Sequence, residues 1–164
     1  MTQYMHVHPD FLPIMALSGE ERIAAMDQPR WIGYPRAIEI LDLLQGLLTK
    51  PKRPRMPNLL IVGDSNNGKT TLIERFRELC GTSYVDGSGD PVRPVVIAEA
   101  PTSADERSLY VSVLERFWTP YKPTDSIPKL RYQLIHLMRA CNVQMLVLDE
   151  MHSLLTGTTT KQRE

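Results

Sequence analysis

Two short stretches of this chain hold residues whose types and spacing suit chemistry on phosphates. The first is Gly63-Asp64-Ser65-Asn66-Asn67-Gly68-Lys69-Thr70, a full match to G-x-x-x-x-G-K-[ST]. Each position has a physical reason. Gly63 and Gly68 permit backbone conformations and a close approach that a Cβ would obstruct. Loop N–H groups and the N-terminus of a following helix converge on phosphate oxygens, and the helix dipole adds partial positive charge. Lys69 is expected to reach the β- and γ-phosphates of a nucleotide, and Thr70 to offer a hydroxyl ligand to magnesium. Thr71, the next residue, joins the same predicted phosphate-binding set.

The second stretch is Met145-Leu-Val-Leu-Asp149-Glu150, four apolar residues followed by two acids. A strand ending in Asp at the C-terminal edge of a sheet puts a carboxylate beside the magnesium site, where it holds the ion through water. Glu150, one residue on, is placed to orient and polarise an attacking water. Alone, such an ending is common on solvated sheet edges. About eighty residues after the phosphate loop, it specifies a nucleoside triphosphatase with an extra strand between the two motifs, and the Asp-Glu pair favours ATP hydrolysis over simple phosphate transfer. No Asn-Lys-x-Asp segment reads guanine, and no Asp-x-x-Gly switch follows the acidic strand, so a GTPase fits poorly. A small-molecule kinase has no need of Glu150.

These residues need elements to position them. Leu59–Val62 is predicted to be a strand buried on both faces, and Lys69 to Cys80 a helix with Leu72, Ile73, Phe76, Leu79 and Cys80 inward and Gly81 as its stop. Residues 82–94 read as a loop. Val95–Ala98 and Met145–Leu148 are further strands. Between them, Ser103 and Glu106 form a predicted capping box for a helix to about Trp118, ended by Pro120 and Pro123. A second helix is expected from about Pro128 to Cys141. Upstream, residues 1–17 read as an irregular arm. Ser18 and Glu21 cap a short helix to Met26, stopped by Pro29, and Pro35 to Leu48 is a helix with Ile38, Leu41, Leu44 and Leu48 on one face. Strands alternating with amphipathic helices mean an α/β fold with parallel β-α-β units. The expected organisation is an N-terminal arm and helical extension over 1–56, then a P-loop ATPase core from 57 to 164.

Composition narrows the rest. Lys and Arg total 19, as do Asp and Glu, for a formal net charge of zero, so any nucleic-acid contact must be local or shared among subunits rather than a matter of bulk charge. With 42% hydrophobic and 23% charged residues, a wholly disordered chain is excluded. No apolar run approaches the roughly 18 residues a membrane-spanning helix needs, and the start, MTQYMHVHPDF, lacks a signal-peptide layout. Cys80 and Cys141 sit in apolar helical patterns, which suggests reduced thiols in a cytosolic protein. The run Lys50-Pro-Lys52-Arg53-Pro-Arg55 is a basic loop that either meets DNA phosphates or stays a solvated linker. His6 and His8 are spaced for a metal but lie on the arm, and His152 and Glu99 are further candidates for sensing or relaying the state of the acidic pair.

Taken together, Asp27-Gln-Pro-Arg-Trp31-Ile-Gly-Tyr34-Pro-Arg-Ala37, Gly63–Thr70 and Leu148-Asp-Glu-Met-His152-Ser-Leu-Leu resemble the TniB transposition ATPases, AAA+ helpers related to the TnsC regulators. The resemblance covers nearly the whole chain. It implies a three-layer α/β/α AAA+ core with a mostly parallel sheet, and ATP and Mg2+ as cofactors. It further implies assembly as a ring or filament on double-stranded DNA, recruitment of transposase, no membrane, and a bacterial cytoplasmic setting. It also implies that Trp31 and Ile32 lie against the adenine; the other reading makes Trp31 and Tyr34 a hydrophobic staple for the next helix. The expected AAA+ strand order, 5-1-4-3-2, separates the Leu59–Val62 strand from the Met145–Leu148 strand by a sensor strand. Fourteen residues follow Glu150, and Arg163 among them precedes any sensor strand and does not suit an arginine finger. Residues 1–164 are therefore expected to be an N-terminal fragment, truncated before the sensor strand and lid, that turns ATP over negligibly. Other readings are a replication-initiator or helicase-loader ATPase, and a nucleotide-switched scaffold with little turnover.

Overall fold

In the computed structural model, which describes residues 4–28, 30–103, 105–122 and 124–152, three α-helices precede three short strands, and two further helices lead to a last strand ending at Asp149. Two compact units form, Met1–Tyr34 and Pro35–Glu164. In the first, a 3-10 helix, Pro9–Ala16, occupies the expected irregular arm, and α1 (Gly19–Met26) follows. Helix α1 has the predicted capping box: Ser18 Oγ accepts from Glu21 N–H, and Glu21 Oε2 accepts from Ser18 N–H at 3.0 Å. Those Ser18 bonds hold the Glu21 carboxyl below its ordinary value. Neither helix buries a residue, so local bonds carry this unit, with the Arg30 guanidinium 4.8 Å above the Phe11 ring.

The second unit is built on two helix pairs and a small sheet. Helix α2 (Pro35–Leu48) packs on α3 (Lys69–Cys80), burying Ala37 and Leu44 of the one and Leu72, Ile73 and Phe76 of the other. Ile38 and Leu79, expected inward, are exposed, because they lie outside the stripe that the α2–α3 contact covers. A short antiparallel ladder, β1 (Tyr84–Val85) with β2 (Pro91–Val92), interrupts the expected loop. Strand β3 (Val95–Glu99) pairs in parallel with β4 (Met145–Asp149), in register from Val95↔Met145 to Glu99↔Asp149. The crossover between them consists of α4 (Glu106–Glu115) and α5 (Ile127–Ala140). Val113, Leu114, Leu130 and Leu134 of these helices close over Val96 and Ala98 to form the core.

Alternation along β3 sends Val95 to the other face, where it meets Gly81 at the end of α3. A Cβ on Gly81 would stand 2.7 Å from Val95 Cβ. Gly81→Ala is therefore expected to destabilise the fold by about 1–3 kcal/mol through overpacking, read as a lower urea midpoint at unchanged slope; an unshifted midpoint would mean that α3 does not press on β3.

Three local expectations change. Helix α4 is capped by Asp105, which accepts from Ser108 N–H at 2.8 Å, not by a Ser103–Glu106 box; Ser103 instead donates to the Asp105 carboxylate. The helix ends at Glu115, short of Trp118, whose φ of 54° takes the chain out of helical conformation. The larger change is at 59–62. That segment makes no strand pairing among the described residues, and Leu60 and Val62 are 76% and 82% exposed rather than buried. An apolar run becomes a buried strand only where a partner strand takes its N–H and C=O groups, and β3 and β4 here pair with each other alone. Pro29, Pro123 and residues 153–164, including Arg163 and the Ser-Leu-Leu end of the acidic motif, lie outside the described residues.

Candidate nucleotide site

The phosphate-loop residues form a turn that runs directly into α3. Gly68 is the N-cap residue, with φ 71° and ψ 21°, a left-handed conformation that glycine adopts without steric cost, and Asn66 also has a positive φ, 63°. Leu72 N–H donates to Gly68 C=O at 2.9 Å and closes the first helical turn. Lys69 folds back over the loop, its Nζ donating to the carbonyls of Gly63 (2.9 Å) and Asp64 (2.8 Å). Among the described residues, the N–H groups of Asp64, Ser65 and Asn66 donate no hydrogen bond to the backbone. Loop N–H groups without backbone partners, beside a helix N-terminus and an ammonium, suit an anion.

The acidic strand reaches the same place. Thr70, in the first turn of α3, donates its hydroxyl to Asp149 Oδ2 at 2.8 Å, across 79 residues of sequence. The other carboxylate oxygen, Oδ1, accepts from Glu150 N–H at 2.9 Å. With its hydrogen turned to Asp149, the Thr70 hydroxyl keeps oxygen lone pairs for a cation. Among the described residues there is no cluster of three or more His, Cys, Asp or Glu side chains fit to hold a metal. One carboxylate and one hydroxyl are too few for magnesium, which takes six oxygens. The donor set therefore fits an ion that also draws ligands from nucleotide phosphates and water.

Glu150 stands just past β4 with a φ of 57°, and its carboxylate lies 2.9 Å from His152 Nδ1. A left-handed glutamate is uncommon, and such positions concentrate at functional sites. Across the ladder, Glu99 is in register with Asp149; its carboxylate is 3.9 Å from Arg116, and its carbonyl accepts from Ser112. Arg116 was not legible as part of this edge, because nothing in its spacing marks it; only the end of α4 brings it there.

The remaining candidates come from other segments of the chain. Trp31 is half-buried and Ile32 79% exposed, both within the first compact unit. His8 Nδ1 accepts from Asp10 N–H at the start of the 3-10 helix, and no metal-binding cluster involves it among the described residues. The basic residues Lys50, Lys52, Arg53 and Arg55 are exposed.

Two motifs read independently in the sequence thus meet at one bond. Among the described residues, no helix is long and apolar enough to cross a membrane. No curated protein compared with the chain is significantly similar. The family described as "Bacterial TniB protein" matches residues 22–164, a span that holds the phosphate loop, the acidic strand and all the elements between them. On that match the chain belongs to the bacterial TniB family.

Proposed function

We propose that this TniB protein binds and hydrolyses ATP with magnesium and regulates DNA transposition by assembling on double-stranded DNA and recruiting transposase. The observation that carries the nucleotide reading is the Thr70–Asp149 hydrogen bond, which joins the two motifs a magnesium-nucleotide site needs. In this reading the N–H groups from Gly63 to Thr71 cradle the phosphates and Lys69 neutralises the β- and γ-phosphates. Thr70 and Asp149 hold magnesium, Glu150 positions the attacking water, and Trp31 and Ile32 contact the adenine. Residues 57–164 form part of a three-layer AAA+ core; the helices over Val96 and Ala98 and the Gly81 contact at Val95 support helical cover on both faces. Sustained turnover is proposed to require a sensor residue and an arginine finger in addition to these groups. Subunits are proposed to form a ring or filament in the bacterial cytoplasm.

Displacement of a fluorescent ATP analogue tests this. ATP is expected to compete better than GTP, magnesium to tighten binding, and Thr70→Ala to remove the magnesium increment while leaving metal-free binding in place. If neither nucleotide competes, or if Thr70→Ala responds to magnesium as the native chain does, the site is misassigned.

A further inference from the structure

We propose that the outer face of α5 is a docking surface for the phosphate backbone of double-stranded DNA, an inference that rests on the reading of this protein as one that works on DNA. The chain is neutral overall, yet its charge is unevenly placed. Helices α2 and α3 neutralise their own arginines, with Arg36–Glu39, Arg75–Glu78 and Arg77–Glu74 pairs three residues apart. Helix α5 contains Lys129, Arg131 and Arg139 and no acidic residue. Lys122, in the strap before it, adds a fourth cation. Asp125 is the one carboxylate in that strap, and both its oxygens are taken, Oδ1 by Lys129 Nζ at 2.5 Å and Oδ2 by Lys122 N–H at 2.9 Å. Arg131 and Arg139 form no ion pair among the described residues.

The geometry of the face suits a polyanion. Leu130 and Leu134 turn to the core, which leaves Tyr132, Ile135, His136 and Arg139 along the opposite side at helical spacing, all exposed. Tyr132 is 74% exposed, and its ring stacks on His136 with centroids 6.3 Å apart and planes 14° from parallel. Beside it runs a cleft of about 470 Å³, whose lining includes Lys122, Lys129, Tyr132 and His136 together with the paired Asp125 carboxylate. Lys, Arg and Tyr side chains are the usual partners of phosphate oxygens.

The test is fluorescence anisotropy of a labelled mixed-sequence duplex over a salt series. It compares the native chain, the triple variant Lys122→Ala/Arg131→Ala/Arg139→Ala, the single variant Arg139→Ala, and a loop variant with Lys50, Lys52, Arg53 and Arg55 all changed to Ala. The triple variant is expected to bind less tightly and to lose up to about 0.9 in log–log salt slope per contact removed, with Arg139→Ala showing a smaller loss in the same direction. Should the triple variant fail to fold, as judged by circular dichroism, the single variant decides. A native slope in the α5 variants overturns the proposal, whatever the loop variant does. Absence of any duplex binding by the native chain overturns it too, as does binding to an acidic protein that the α5 changes abolish while duplex binding persists. ATP affinity, measured alongside, is expected to be unchanged by the α5 substitutions. Loss of DNA binding with ATP binding intact therefore separates this surface from the nucleotide site.

Discussion

Replacing Lys69 by Ala is expected to cut ATP affinity at least a hundredfold. The ammonium donates to two carbonyls of its own loop, 2.8 and 2.9 Å away, so it is held at the loop mouth, where phosphate oxygens would compete for it. Charge-assisted hydrogen bonds contribute roughly 1.5–3 kcal/mol each. Two such bonds to phosphate come to about 3–6 kcal/mol, or two to four decades in Kd. The cost to folding should be small, because the freed carbonyls are solvated. Titration calorimetry with ATP and magnesium, beside a thermal melt, reads both quantities. Equal affinity in the variant and the native chain would remove the phosphate-loop assignment.

A different signature is expected of Glu150→Gln, which keeps the shape of the side chain and removes its basicity. ATP binding should hold, since the phosphates and magnesium are assigned to Lys69, Thr70 and Asp149. Turnover in the assembled protein should fall by about 10²–10⁴-fold, the usual contribution of a general base. Phosphate release and nucleotide affinity measured on the same preparation separate the two effects. The substitution also divides the functional readings. A nucleotide-switched scaffold keeps assembly and partner recruitment when Glu150 is changed, whereas a machine driven by turnover loses them. Turnover that survives the change would take the water-positioning role away from Glu150.

Much of this site was legible because its signals are local. The glycines of the phosphate loop, the Ser18–Glu21 box, and the span and type of α2, α3 and α5 depend on residues within a turn or two of one another. The ladder between β3 and β4 was legible for another reason: both are short apolar runs with amphipathic helices between them, the crossover that parallel pairing demands. Leu59–Val62 has the same apolar look, yet the structure leaves it unpaired. A strand is a relation between two segments, and no residue within 59–62 encodes its partner. The cap of α4 was missed by two positions because Ser103 and Asp105 both suit an N-cap; Asp105 prevails by reaching Ser108 N–H. Nor could spacing announce the Thr70–Asp149 bond itself, although each partner was chosen for the same ion. It took the packing of α4 and α5 over β3 to bring β4 alongside.

The central claim is that Gly63–Thr70 and Asp149 make one site for a metal-bound nucleoside triphosphate. Its most direct test is a crystal structure with a non-hydrolysable ATP analogue and manganese in place of magnesium, phased to show the anomalous signal of the metal. The expected result is a single manganese peak bonded to Thr70 Oγ1 and to phosphate oxygens, with Asp149 in contact directly or through one water and Lys69 moved from the Gly63 and Asp64 carbonyls onto the phosphates. A peak away from Thr70, or phosphates bound elsewhere with Lys69 still on its own loop, would contradict it.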